Sequence, residues 1–155
     1  MESNQACTAV ESWRGRKSMD NNEINRRIAA DFFDQIWNKK DESAIDRFIA
    51  LDAAGNDPEF GVGRESFREQ WKQWHASFPD LHFEVKEIVV EGNRVVTRWF
   101  LTGTHSGADF QRHPASGSKV AVDGVSLDTI TDGMVSEGFD AWDQLKFRTQ
   151  LGMSK

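Results

Sequence analysis

The sequence predicts an α+β fold, with a curved mixed or antiparallel sheet wrapped around three N-terminal helices as a cone-shaped barrel. Three observations carry this expectation. Apolar residues recur at helical spacing through the first half of the chain and alternate at strand spacing through most of the second. Asp132-Gly133 separates two alternating runs, a strong hairpin signal because both central residues of a type I′ turn need φ > 0. Helices followed by successive antiparallel strands pack as a sheet with helices in its concavity, which leaves a pocket between the two layers.

The elements follow in order. Residues 1–21 are polar and aperiodic and read as a flexible leader, with one domain over 22–155. Ile24, Ile28, Phe32 and Ile36 predict a helix over Asn22–Asn38, capped by Asp20, Asn21 or Asn22. Asp41 starts a short second helix with Ile45, Phe48 and Ile49 inward. Leu51–Val62 is loop-like with room for one short strand, because Gly55, Pro58, Gly61 and Gly63 break anything longer. Phe67, Trp71, Trp74 and Phe78 make the apolar stripe of a third helix, Arg64–Phe78, which Pro79 stops.

The strands come next. Leu81, Phe83 and Val85 alternate, then Ile88 and Val90 on the other parity, which predicts a bulge near Lys86-Glu87. Gly92-Asn93 turns the chain into a strand over Val95–His105. Ser106–Gly117 is a loop, Ser118–Thr131 and Met134–Asp143 form the final hairpin, and a short helix over Gln144–Gln150 ends at Gly152.

Composition narrows the function. A chain of 155 residues holds one domain with a real core. Its net charge of -6 argues against nucleic acid, which wants clustered Lys and Arg. No apolar run approaches the roughly 20 residues that span a bilayer, and the N-terminal stretch lacks the apolar core of a signal peptide. Cys7 is the one cysteine, so no disulfide framework exists and a cytoplasmic protein is expected. The four histidines show no metal-ligand spacing, so no metal is expected, and no nucleotide loop or nucleophile elbow occurs.

One residue points to chemistry. Asp140 is an acid in a mostly apolar strand, on the same face as Gly138 and Trp142. A carboxylate beside an indole on a dry face is the raw material of a general base, whereas on a solvent face it is merely hydrated. His105, His113, Asp123, Asp128 and Asp143 are possible partners. Asp143 also suits the cap of the last helix, and Asp123 and Asp128 have opposite parity, so at most one of them points inward on a regular strand. The chain has 11 Phe, 6 Trp and no Tyr; such rings fill cores and also line pockets for flat ligands.

A family pattern emerges from several motifs in register: Phe78-Pro79-Asp80-Leu81 after an aromatic helix, Gly103-Thr104-His105-Ser106-Gly107, Pro114-Ala115-Ser116-Gly117, the Asp132-Gly133 turn, and Asp143 before Gln150-Leu151-Gly152. From about Glu23 to Gly152 the chain resembles the SnoaL-like polyketide cyclases of the nuclear-transport-factor-2-like superfamily. The resemblance implies a six-stranded curved sheet around three helices, a homodimer through the sheet, and acid–base chemistry without a cofactor. It implies Asp140 as the catalytic acid/base in the pocket, and it places Ser126 where some cyclases have a pocket histidine. The tyrosines of ketosteroid isomerase and scytalone dehydratase are missing, as is the Arg-x-Asp strand motif of limonene epoxide hydrolases, although Arg98 with Asp140 could improvise an epoxide site.

The expected function is therefore cyclisation or isomerisation of a polyketide-like or other apolar carbonyl metabolite, polycyclic or aromatic. Asp140 is the base and His105 stabilises or protonates the oxyanion. Trp142, Trp99, Trp74 and Phe78, with Ser126 and His113, bind substrate. Two alternatives remain at this point: a non-catalytic small-molecule binding protein, and an epoxide-opening hydrolase or cyclase on the same fold.

Overall fold

The computed structural model describes residues 20–58 and 60–153. Most of the expected leader, residues 1–19, lies outside the described residues; its last two positions already belong to the domain. Helix α1 runs Asn21–Asp31, and the Asp20 carboxylate caps it by accepting from the Asn22 N–H. The helix then widens into a π-helical segment, Phe32–Asn38, rather than continuing as α to Asn38. The sequence contains the reason. Apolar residues spaced by four outrun a 3.6-residue turn, so the stripe would wind off the core, and a wider turn brings Phe33, Ile36 and Trp37 back inside.

Helix α2 spans Glu42–Phe48, capped by Asp41, and leads straight into strand β1, Ile49–Gly55. Ile49, expected on the inner face of the second helix, is instead the first residue of this strand and is buried. Helix α3 is Arg64–Ser77. Strands β2 (His82–Glu91), β3 (Arg94–Thr104), β4 (Lys119–Thr131) and β5 (Met134–Trp142) follow, and α4 (Gln144–Gln150) closes the chain. The expected bulge appears as a register shift between Val85 and Glu87. Asp132 and Gly133 have φ of 51° and 78°, as a type I′ turn requires. Asp143 caps α4 through the Lys146 N–H.

The sheet order is β1-β5-β4-β3-β2, antiparallel throughout except for the parallel β1–β5 pair. The described residues form five strands, where the resemblance implies six. Inward residues alternate with outward ones along β3 and β4, so one face packs against the helices through a core of Phe33, Ile36, Trp71, Phe78, Leu101 and Val122. Among the described residues no helix is long and apolar enough to cross a membrane.

Candidate active site

A cavity of about 140 Å³ lies between the helices and the inner face of the sheet. Phe32, Phe33 and Trp37 of the π-helical segment, Phe67 and Trp74 of α3, and Trp99 of β3 give it aromatic walls. Its polar side chains come from β4, β5 and the loop after β1: Ser126, Asp128, Asp140 and Asp57. Among the described lining residues none is Lys, Arg or His.

Pairing register brings the polar groups together. Ser126 of β4 sits opposite Asp140 of β5, and directly opposed residues share a face. The Ser126 hydroxyl donates to Asp140 Oδ1 at 2.5 Å, while the Trp99 indole N–H donates to Ser126 Oγ at 2.9 Å. Trp99 can lie this way because Gly124 is opposite it: a Cβ there would sit 2.2 Å from Trp99 Cη2. The two donors form a relay that ends on the carboxylate and polarises toward its ionised form.

Asp140 is also fixed from behind. Asn56, just past the end of β1, accepts from the Asp140 N–H at 2.8 Å and donates to the Asp140 carbonyl at 2.9 Å. Burial raises the Asp140 pKa; the Ser126 hydrogen bond works against that, and the charge of Asp57 adds to it.

Asp128 stands beside this assembly. It lies opposite Gly138, two residues along the strand from Asp140, so the two carboxyls are diagonal neighbours on one face. Gly138 leaves room for it: a Cβ there would lie 3.2 Å from Asp128 Oδ1. Asp128 is buried, and burial, followed by the Asp140 charge, pushes its pKa up to about 8. Two acids that share a dry site cannot both ionise cheaply, so the pair holds one proton near neutral pH. Asp128 is the member that keeps it, because Asp140 has the Ser126 donor and no hydrogen bond to the Asp128 carboxyl is found among the described residues.

The expected site residues divide into two groups. Asp140, Ser126, Trp74, Trp99 and Trp142 all line the cavity. Phe78, His105 and His113 are not among the lining residues. Phe78 is fully buried and stacks on Trp74 with ring centroids 5.7 Å apart, one layer behind the wall. His105 follows the end of β3, where the loop folds back and the Gly107 and Ala108 N–H groups bond the Ser77 and Ala76 carbonyls. Its ring is buried there against Phe78, with Nε2 bonded to the Ala108 carbonyl at 3.0 Å, away from Asp140. His113 is exposed in the loop and pairs by backbone with Phe110.

The improvised epoxide site is also absent. Arg98 is exposed on the outer face and pairs with Glu87 at 3.6 Å. Among the described residues no group of three or more His, Cys, Asp or Glu is placed to hold a metal.

Of the possible partners Asp123 and Asp128, parity places Asp128 on the inner face, while Asn56 escaped the sequence reading. Asp128 shares parity with Val120, Val122 and Ile130, and that apolar set was the signal that it points inward. Asn56 carried no signal, since its role depends on where a loop residue lands against β5.

Comparison with known proteins shows the family and the fold. The sequence model for the SnoaL-like polyketide cyclases matches residues 27–151. The chain belongs to the SnoaL-like polyketide cyclase family. Solved structures share the SnoaL-like fold. TsrD from Streptomyces laurentii superposes with a TM-score of 0.78 at 24% identity, covering 88% of this chain and 100% of that one. IdmH from Streptomyces antibioticus has the higher identity, 28%, with a TM-score of 0.68 over 83% of this chain and 98% of its own. A SnoaL-like polyketide cyclase from Agrobacterium tumefaciens C58 gives a TM-score of 0.64 at 20% identity, over 87% and 100%. A search of curated proteins finds no match. Family membership therefore rests on the sequence-model match, and the solved structures show the shared fold.

Proposed function

We propose that the protein is a cofactor-independent acid–base enzyme that cyclises or isomerises an apolar carbonyl metabolite, with Asp140 as the general base. One observation carries this reading: the Asp140 carboxylate lines an aromatic cavity while accepting the relayed hydrogen bond from Ser126. A carboxylate in such a place is stronger as a base than in water, because burial raises its proton affinity, yet the hydroxyl keeps it available in ionised form. Asp140 removes a proton from the carbon next to a carbonyl. The enol or enolate then attacks a second carbonyl of the same molecule, which closes a ring, or is reprotonated elsewhere, which isomerises it.

The cavity size bears on the substrate. About 140 Å³ is close to the roughly 150 Å³ of an engineered apolar cavity that takes up benzene. It encloses about one ring, so in a polycyclic substrate the reacting ring is the enclosed part. The acidic lining, without a described cationic residue, favours an uncharged reacting end.

We also place the enzyme in the cytoplasm, given its lone cysteine, and assign it a homodimeric state. The outer face of the sheet supports the second assignment. Val89, Val96, Leu127 and Phe139 are paired in register across four strands, and Val89 and Phe139 are 55% and 53% exposed.

The test uses a small carbon acid, 2-tetralone, in deuterated buffer, with exchange at its activated α-carbon followed by NMR. The protein should accelerate exchange, and Asp140→Asn should lower that acceleration by about 10²–10⁴-fold. Equal rates for the two proteins would refute the assignment.

A further inference from the structure

The geometry points to Asp128 as the proton donor of the same reaction, so that the site works as a two-carboxyl shuttle with Asp140 as its base. This inference rests on the acid–base reading above and adds the acid, the role expected of His105. Asp128 and Asp140 face one cavity from adjacent strands, at diagonal positions whose Cα atoms are typically about 7–8 Å apart. That span suits a carbonyl group and its neighbouring carbon lying between them: one carboxyl addresses the C–H, the other the oxygen. Gly138, opposite Asp128, keeps the approach open.

The environments of the two acids differ in the direction the roles require. Asp140 accepts from Ser126, which favours its ionised form. Asp128 has no such donor among the described residues, and burial beside a second acid holds its proton on. The charged groups of the site are all acidic: Asp57 from the loop after β1, Asp140 from β5, and Asp128 itself. No described lining residue is cationic, so an enolate formed there would meet only acids unless one of them surrenders a proton.

The step balances. The C–H bond breaks toward an Asp140 oxygen, and its electron pair becomes the new C=C bond. The carbonyl π pair moves onto oxygen, which takes the proton from the Asp128 carboxyl as that O–H bond breaks. Asp140 ends protonated, Asp128 ends ionised, and the substrate is a neutral enol. The carboxyl pair carries one negative charge before and after, so no second charge is created in the dry cavity. In cyclisation the enol carbon attacks the second carbonyl, whose oxygen takes the proton now on Asp140. The enol O–H proton returns to Asp128.

Two probes separate donor from base. Elimination of 5-nitrobenzisoxazole needs a base and gains little from an acid, because its leaving phenolate is already stable. Deuterium exchange into 2-tetralone needs both. Asp140→Asn should depress both activities. Asp128→Asn keeps the shape of the acid and one N–H donor but cannot transfer a proton, so the ratio of ketone exchange to elimination should fall about tenfold. Asp128→Ala should lower that ratio about 10²-fold. Infrared difference spectra near neutral pH should show a protonated-carboxyl band in the wild type that both Asp128 variants lack. Loss of both activities in Asp140→Asn with an unchanged ratio in both Asp128 variants would overturn the donor role alone, as would a band that persists without Asp128. If Asp140→Asn leaves both probes unaffected, or if the wild type acts on neither, the acid–base reading itself falls.

Discussion

Gly124→Ala isolates the contact on which the whole relay depends. The added methyl would stand 2.2, 2.3 and 2.6 Å from Cη2, Cζ2 and Cζ3 of Trp99, all far inside van der Waals contact. The rigid indole cannot flex around it, and Trp99 is buried, so the ring must tilt or the two strands must part. Overpacking of this kind costs about 1–3 kcal/mol. Tilting also breaks the bond from Trp99 to Ser126, worth about 1 kcal/mol more. For a chain of 155 residues, a total of about 2–4 kcal/mol lowers Tm by roughly 5–15 °C. Urea unfolding gives the loss directly, with indole fluorescence as a second probe. The cause can be checked by a cycle with Trp99→Leu: once the ring is gone, adding Ala at 124 should cost less than about 0.5 kcal/mol. A Gly124→Ala protein as stable as the wild type would refute the claim that the glycine exists to let Trp99 cross β4. So would a cost that persists without the indole.

Other consequences follow from the same geometry. Asp128 binds its proton more tightly folded than unfolded, so its contribution to stability is complete below pH 4 and is lost as pH rises through about 8. His75, whose pKa burial lowers to about 4, contributes with the opposite sign below pH 6.5. The window from about 6.5 to 8 therefore reports on the acid pair: chemical denaturation should show stability falling by up to about 1.4 kcal/mol per pH unit, and Asp128→Asn should flatten the fall. A wild-type curve that is level there would contradict the buried acid. Asn56→Ala removes both side-chain bonds to the Asp140 backbone at an exposed site, so exchange into 2-tetralone should drop about tenfold with little change in Tm; an equal loss in Asp140-independent stability and activity would indicate simple unfolding. Phe139→Glu puts a charge in the middle of the apolar outer face, so sedimentation velocity should show the proposed dimer for the wild type and a monomer for the variant. A dimer that survives must use another surface.

The sequence revealed more of the fold than of the site, for reasons visible in particular residues. Alternation, the Asp132-Gly133 turn and the caps at Asp20, Asp41 and Asp143 are local properties, and local chemistry decides them. The π-helical segment was legible only as a stripe spaced by four. Strand β1 was legible only as room for one short strand, because its burial does not alternate, with Leu51 exposed beside Asp52, and its partner, β5, is some eighty residues away. Asp140 could be found because its own strand is apolar around it. Its pairing with Ser126 and its neighbour Asp128 depend on strand register, which neither strand specifies alone. His105 misled because a histidine at a strand end looks the same whether the following loop opens onto a cavity or folds over the ring.

Asn56 has a consequence beyond holding Asp140 in place. The Asn56 N–H still donates to the Gly138 carbonyl, but among the described residues the main chain of this segment makes no further bond to β5, which would leave a bare edge at Asp140. The side-chain amide of Asn56 offers one donor and one acceptor to the Asp140 peptide groups, and so stands in for the next peptide unit of a strand. The hydrogen-bond ladder is completed by a side chain where the main chain departs. The loop that follows is therefore not needed to hold β5 at Asp140. Insertions and deletions there would reshape the rim of the cavity, and hence what it admits, without unzipping the strand that carries Asp140.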